Sequence, residues 1–276
     1  MSPKIDPITT EVIRNQIHSI VDEMAIALMK RAYSTNIKER RDLSAAVFDT
    51  EGRAIVQGEH LPLHLGSMLG LVKKILEKFP LDRIYPGDIF ISNDPYRGGG
   101  SHLPDVAMAA PVFVDGRPVM FVGNIAHHAD IGGASPGSMA GDMTEIYQEG
   151  LRIPPIKIFE KGQRQEDIFD LILLNVRVPK ERIGDYQAHF SSLHLGVRRI
   201  GSLYAKWGEA ILREAMDAIL DATERQIRAG IQKIPDGEYG FEDYVDDDGF
   251  GNKRIPIRVK ITVMGIRWFP NPSSST

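Results

Sequence analysis

Imidazole and carboxylate side chains concentrate in the middle of this chain. Five of its eight histidines lie within 69 residues of one another, namely His60, His64, His102, His127 and His128. Asp105 follows His102 at a spacing of three, and three consecutive glycines, Gly98–Gly100, precede this pair with only Ser101 between them. A lone histidine is more often a surface or core residue than a ligand, but clustering in a glycine-rich region favours a chemical role. Such a role requires that the fold bring these groups together.

A predicted β-hairpin brings the two ends of this region into contact. Asp115-Gly116 lies between two apolar runs, which is the strongest short-range signal for a two-residue hairpin turn. With these two residues as the turn, Pro104 faces His127, and directly opposed residues of an antiparallel pair are about 5 Å apart. A one-residue bulge at Pro111 would shift the register without separating the ends.

Two imidazoles and one carboxylate at the ends of paired strands could hold a divalent metal ion and leave positions open for water. His102 and Asp105 supply two of the three groups. Alternate strand residues face opposite ways, so His127 and His128 should not both be ligands. His128 and Asp130 are candidates for acid–base catalysis or for supporting the ligands from behind.

Five further residues are predicted to contact a substrate. His60 and His64 have the i, i+4 spacing of zincin metalloproteases, but Leu61 replaces the required glutamate and Pro62 interrupts the motif. We expect an extended loop there, leading into a helix, with both histidines lining or filling a cavity. Asn93, Asp94 and Arg97 follow a short apolar run and complete the predicted substrate contacts.

Several classes of site are missing from the sequence. The chain has no cysteine, which excludes disulfides and cysteine-ligated zinc or iron–sulfur centres. Manganese, iron, zinc or magnesium would suit the remaining ligands. No glycine-rich segment ends in Gly-Lys-Ser/Thr or has the Rossmann context, and no serine lies in a nucleophile elbow. We therefore expect neither ATP binding by this chain nor serine hydrolase chemistry.

Composition indicates a globular protein. The 276 residues are 42% hydrophobic and 25% charged, with a net charge of −4 and no run of five like charges. Nucleic-acid-binding proteins are usually basic, so this balance argues against that class. No stretch of 18 apolar residues and no leader-like segment occurs, which predicts a cytoplasmic protein without a membrane span.

The order of hydrophobic patterns predicts an α+β fold. It has mixed strands and hairpins around a glycine-rich loop centre, followed by a long helical segment. The predicted elements are a helix over 8–32, a strand pair within 44–58, a helix over 67–78, a strand within 87–94, the hairpin about 115–116, loops over 131–150, helices from 166 to 231, and two strands within 238–265.

Four segments resemble the hydantoinase B/oxoprolinase family. They are residues 36–68, 87–106, 123–139 and 144–155, and the likeness extends over roughly residues 6 to 265. The family includes B subunits of ATP-dependent N-methylhydantoinases, the C-terminal half of 5-oxoprolinases and the alpha subunits of acetone carboxylases. The resemblance implies a partner of the hydantoinase A type, with an actin-like ATPase fold, that uses ATP to phosphorylate the substrate.

The resemblance also implies the chemistry and the ligand set. The B-type subunit would complete hydrolysis of an activated lactam, or carboxylation of a ketone in the carboxylase branch. In acetone carboxylases a His-x-x-Asp pair and a later histidine hold manganese, and the matching residues here are His102, Asp105 and His127. This selects His127 over His128 and favours manganese over zinc or iron.

Family members are about twice as long as this chain. We therefore expect residues 1–276 to be a single hydantoinase B-like region, about the N-terminal half of the usual length, that ends in an irregular tail over 266–276. The leading hypothesis is the B-type subunit of an ATP-dependent cyclic amidase within a hetero-oligomer. The alternatives are an alpha-type carboxylase subunit and a truncated fragment that binds the partner without catalysis.

Overall fold

The computed structural model describes residues 5–58, 60–265 and 267–272. The fold is α+β, as predicted, and its strands and helices form two compact units, Met1–Met216 and Asp217–Thr276. The first unit contains every residue that the sequence analysis assigns to a site. That the whole chain is a single family region stays a prediction.

An antiparallel seven-stranded sheet forms the centre of the first unit, with the strand order β2-β1-β5-β4-β3-β6-β7. Its strands are β1 Leu43–Phe48, β2 Ala54–Gln57, β3 Ile89–Ser92, β4 Asp105–Val114, β5 Arg117–His127, β6 Ile156–Glu160 and β7 Gln163–Arg164. The inner strands β1, β3 and β4 are almost wholly buried. Both faces of the sheet are therefore covered.

Seven α-helices accompany the strands within the described ranges. They are α1 Pro7–Arg31, α2 Thr35–Lys38, α3 Pro62–Ser67, α4 Leu71–Lys78, α5 Glu166–Leu174, α6 Pro179–Trp207 and α7 Glu209–Ile231. The helix predicted over 8–32 is confirmed, and Asp6 caps it through the Thr9 amide. The long helical segment is confirmed as α5, α6 and α7, with Gly208 at φ 78° between the last two.

Different helices contact different parts of the sheet. The start of α4 packs on a core that includes Phe48, Phe90 and Phe121. Helices α1 and α6 pack together, and α6 also contacts β4 and β5. They approach closely because Gly196 leaves no side chain between them: a Cβ there would lie 2.4 Å from the Met24 sulfur.

The predicted hairpin forms, with a shift of one residue. Asp115 and Gly116 have φ angles of 49° and 76°, as a type I′ turn requires. A bulge beside Val112 then changes the pairing, so that Asp105 rather than Pro104 faces His127. The bulge lies next to the expected position, Pro111, and it improves the juxtaposition because it places two of the predicted ligands directly opposite each other.

The region around residues 60–78 differs from the prediction. His64 lies in the short helix α3 rather than in an extended loop, and α4 starts at Leu71. Pro62 explains the difference, because proline has no amide hydrogen to lose and is well tolerated in the first turn of a helix. The strand pair within 44–58 and the strand within 87–94 are confirmed as β1–β2 and β3.

The second unit contains a three-stranded antiparallel sheet. Its strands are β8 Gly237–Asp247, β9 Lys253–Met264 and β10 Arg267–Pro272, with β9 in the middle. The predicted strand pair is confirmed, but β10 shows that the expectation of an irregular tail is wrong over Arg267–Pro272. Both prolines of β10 lie on an edge strand, where the missing amide hydrogen is tolerated. Residues 266 and 273–276 lie outside the described residues.

None of the helices in the described part of the chain is long and apolar enough to cross a membrane.

Candidate metal centre

His102, Asp105 and His127, called the trio below, converge on one point at the end of the central hairpin. The Nε2 of His102 lies 3.0 Å from Oδ1 of Asp105 and 3.1 Å from Nδ1 of His127. The His127 Nδ1 lies 3.3 Å from the same carboxylate oxygen. The Asp105 side chain is 2% exposed and that of His102 is 27% exposed, so the trio opens to solvent on the His102 side.

The geometry of the trio fits a divalent metal ion. Two donors that share an ion, with bonds of about 2.1 Å and angles of about 90–110°, are about 3.0–3.4 Å apart. The three separations lie in that range. Hydrogen bonds alone cannot satisfy the closed triangle, because two ring nitrogens that both donate to Asp105 face each other without an acceptor. The donor set of two imidazoles and one carboxylate is also suitable for such an ion.

Secondary structure positions each member of the trio. Asp105 is the first residue of β4 and His127 the last of β5, and the ladder between these strands pairs them directly. The amide of His128 donates to the carbonyl of Pro104 at 2.8 Å, which fastens the end of β5 to the segment that carries His102. The amide of His127 donates to the carbonyl of Asp42, just before β1.

The three glycines before His102 each occupy a position where a side chain does not fit. Gly98 has φ 90°, which favours glycine. A Cβ on Gly99 would lie 2.2 Å from the Asn93 carbonyl carbon, and a Cβ on Gly100 would lie 2.2 Å from the Asp105 Cβ. The glycines therefore let the loop pass closely over its own start and over Asp105.

Substitution of Gly100 by alanine should weaken divalent-ion binding, because the new methyl group displaces Asp105. The matched control is Gly201→Ala in α6, where no atom lies within 4 Å of the position a Cβ would take. That control should leave binding unchanged and raise the free energy of unfolding by about 0.5–1 kcal/mol, since alanine is the better helix former. Calorimetric titration with Mn²⁺ and urea unfolding measure both quantities. Equal metal affinity for Gly100→Ala and the wild type would contradict this account of the loop.

Opposite charges within the trio shift its pKa values. Burial alone would lower the pKa of His102, but the hydrogen bond and the charge of Asp105 outweigh burial and raise it above the ordinary value. Burial alone would raise the pKa of Asp105, and the hydrogen bonds of the two histidines outweigh it, so this pKa is lowered. Asp105 is therefore an anion at neutral pH and is available to a cation.

Three polar residues around the trio and His64 were not found from the sequence. The charges of Asp42 and Glu149 both contribute to raising the pKa of His102, and Glu149 also accepts a hydrogen bond from the Leu103 amide at 3.1 Å. Ser44 lies 3.1 Å from Nδ1 of His64. No local motif marks these residues, because β1, beside Asp42, pairs with β5 over a separation of about eighty residues, and Glu149 lies 46 residues after Leu103.

The structure places His64 beside Asp42 and Ser44. His64 is buried, its Nε2 lies 3.5 Å from Asp42 Oδ1, and burial lowers its pKa despite the nearby charges of Asp105 and Asp42. Because the His64 ring is enclosed and contacts Ser44 and Asp42, the geometry argues against substrate contact for this residue. His60 is exposed.

The predicted substrate contacts after β3 divide into two groups. Asn93 is fully buried and its amide group binds backbone atoms of Leu103, Leu151 and Ile153. Asp94 is buried and accepts two hydrogen bonds from the Arg152 guanidinium. Because both side chains are used within the fold, the geometry argues against substrate contact for either. Arg97 is exposed, and its substrate role stays a prediction.

His128 and Asp130 also have structural surroundings. His128 is fully buried, and burial together with the charge of Arg182 lowers its pKa well below the ordinary value. Asp130 accepts hydrogen bonds from the Arg177 backbone and guanidinium, both at 2.8 Å, and so anchors the glycine-rich segment. These positions argue against the predicted catalytic roles, because neither side chain is free to meet a substrate.

Comparison with known proteins gives a consistent family. Residues 6–269 match the profile of the hydantoinase B/oxoprolinase family. Caprolactamase subunit beta of Pseudomonas jessenii is 35% identical over 261 residues, which cover 95% of this chain and 45% of that protein. The chain thus spans about half the length of this curated relative.

Solved structures share the fold. The crystal structure of ATP-dependent caprolactamase from Pseudomonas jessenii superposes with a TM-score of 0.92 at 34% identity, over 98% of this chain and 46% of that one. Nucleotide-free acetone carboxylase superposes with a TM-score of 0.83 at 18% identity, over 96% of this chain and 37% of that one. At that identity the second likeness shows the fold alone.

Proposed function

Because the chain belongs to the hydantoinase B/oxoprolinase family, we propose that it acts as the B-type subunit of an ATP-dependent cyclic amidase. The substrate class is a lactam or a related cyclic amide, since the relative with 35% identity is a caprolactamase subunit. The proposed partner is a hydantoinase A-type subunit that binds ATP and activates the substrate by phosphorylation.

The trio is the observation that carries this proposal. Two imidazoles and a carboxylate meet within 3.3 Å of one another, next to a partly exposed edge. We propose that His102, Asp105 and His127 hold one divalent ion, with manganese preferred. Such an ion, when bound, supplies Lewis-acid chemistry and lowers the pKa of water.

The chain's own residues have distinct tasks in this proposal. Glu149 and the three glycines hold the loop that carries His102. Arg152 and Asp94 fasten the neighbouring segment. Proton transfer falls to Asp42, whose side chain is 30% exposed and lies beside His64. A partly exposed carboxylate can exchange protons with substrate, whereas His128 and Asp130 are enclosed.

The purified chain should show no ATP hydrolysis by itself and should support ATP-dependent lactam hydrolysis only together with an A-type partner. The assay offers caprolactam, hydantoin, 5-oxoproline and a simple ketone, with and without bicarbonate, and measures ADP, ring-opened product and carboxylated product. Metal content is measured on the same preparation. Turnover of a ketone that requires bicarbonate would favour the carboxylase branch, and a complex with bound metal but without any turnover would favour a non-catalytic fragment. Robust ATP hydrolysis by the pure chain would overturn the division of labour.

A further inference from the structure

Three buried polar side chains form a hydrogen-bonded network that ends at His128, the residue next to His127 of the trio. Asn124 in β5, His189 in α6 and His128 at the end of β5 are all completely buried. His189 Nδ1 lies 2.7 Å from Asn124 Oδ1, and His189 Nε2 lies 3.2 Å from His128 Nε2. The network thus links α6 to His128, the residue next to His127.

The side-chain amide of Asn124 determines where the hydrogens lie in this network. The Asn124 side-chain nitrogen donates to the backbone carbonyl of His189 at 3.1 Å, so its oxygen is the atom that faces the His189 ring. Nδ1 of His189 must therefore donate, and its Nε2 is left as an acceptor. Nε2 of His128 must then donate to it, so both rings have one defined tautomer.

The surroundings keep both rings neutral. Burial lowers the pKa of His189 well below the ordinary value, and the charge of His128, if protonated, would lower it further. The groups that face the pair include Arg182 and Asp185 of α6, which form a buried ion pair with Nη2 3.2 Å from Oδ2. The His128 ring also packs on Tyr186, with ring centroids 4.6 Å apart. The His128 side chain is thus fixed by its hydrogen bond to His189 and by ring contact with Tyr186.

We propose that His189 is a positioning residue for the trio. It fixes the tautomer and orientation of His128, and through the His127–His128 peptide it holds the end of β5 that presents His127. The amide of His128 belongs to the same clamp, because it donates to the Pro104 carbonyl beside Asp105. This proposal rests on the proposed function, since it takes the trio as the metal site.

Loss of the His189 acceptor leaves a buried N–H of His128 without a partner, which is costly enough to make the ring reorient. Reorientation moves the adjacent peptide and loosens the trio. Groups that orient metal ligands change metal affinity by about 10- to 100-fold when removed. His189 acts one residue away from the ligand, so we expect the lower end, about a 10-fold loss.

The test compares Mn²⁺ affinity in the wild-type chain of 276 residues, His189→Phe and a matched control, His194→Phe. His194 lies on the same helix but is exposed. Calorimetric titration measures affinity at a temperature where unfolding curves show each variant to be folded. We expect wild-type affinity in His194→Phe and about 10-fold weaker binding in His189→Phe. His189→Gln retains a donor and an acceptor, so it should recover part of the loss, and it provides the test if His189→Phe does not fold.

The outcomes separate the two proposals. A wild type that binds no Mn²⁺ removes the proposed metal site, and this inference with it. A wild type that binds Mn²⁺ while His189→Phe and His189→Gln bind equally well, with only the melting temperature lowered, leaves the metal site standing and refutes the positioning role. A distinct Mn²⁺ electron paramagnetic resonance spectrum in His189→Phe would support a changed ligand arrangement.

Discussion

Replacement of Asp105 by asparagine is expected to abolish tight divalent-ion binding, with a loss of affinity above about 100-fold, and to abolish the proposed amidase activity with an A-type partner. The physical reason is that Asp105 is the one anionic member of the trio and that its oxygen lies within 3.3 Å of both ring nitrogens. Removal of a residue that only orients a metal ligand lowers metal affinity by about 10- to 100-fold, so removal of a ligand itself should lower it more. His102→Ala should have the same effect.

The matched control for this experiment is His60→Ala. His60 belongs to the same cluster of histidines in the sequence, but its side chain is exposed in the structure. Metal content after dialysis and calorimetric titration give the readout, with unfolding curves to show that the variants are folded. Retention of one tightly bound ion in folded Asp105→Asn would refute the assignment of the trio. Loss of the ion in His60→Ala would show that the site lies elsewhere.

Acidification should destabilise the metal-free protein below about pH 6.5. His128 and His189 are fully buried, and burial lowers the pKa of each well below 6.5 in the folded state. Unfolding restores the ordinary pKa, so the unfolded state binds more protons and the free energy of unfolding falls as the pH drops through 6.5. Each group contributes up to about 1.4 kcal/mol per pH unit, so the pair contributes up to about 2.8 kcal/mol per pH unit. His64 acts in the same direction.

His102 opposes this trend in a different pH range. Its pKa is raised by Asp105, so its contribution to stability is fully present below the unfolded value of 6.5 and is lost as the pH rises through the folded pKa. The buried pair should dominate below pH 6.5, where the contribution of His102 is constant. Urea unfolding at pH 5, 6, 7 and 8 in the presence of a chelator measures the slope.

A variant makes the pH prediction specific. His189→Gln removes one of the buried histidines, so the slope between pH 5 and 6.5 should become shallower than in the wild type. A free energy of unfolding that stays constant from pH 7 to 5 in the wild type would contradict the prediction. An unchanged slope in His189→Gln would contradict the assignment of the slope to this pair.

Local patterns predicted much of the architecture. Apolar residues recur along one helix face over residues 8–32, and α1, Pro7–Arg31, lies within one residue of the expected bounds. Asp115-Gly116 predicted the hairpin because the turn needs two left-handed residues, and both are found. The proline suggested a bulge at Pro111, but the bulge lies beside Val112, because the exact position of a register irregularity depends on packing across neighbouring strands.

For the site, the sequence by itself determined that His102 and Asp105 approach His127, because a two-residue turn and the strand period define which residues meet. Only the tertiary structure decided which other side chains surround them. Asp42 is placed by the pairing of β1 with β5, His64 lies in α3 against Asp42 and Ser44, and His189 lies on α6, which packs on the hairpin. Arg177 likewise donates a hydrogen bond to Asp130, which lies 47 residues earlier in the sequence. Such contacts depend on how distant elements pack, and no spacing within one segment encodes them.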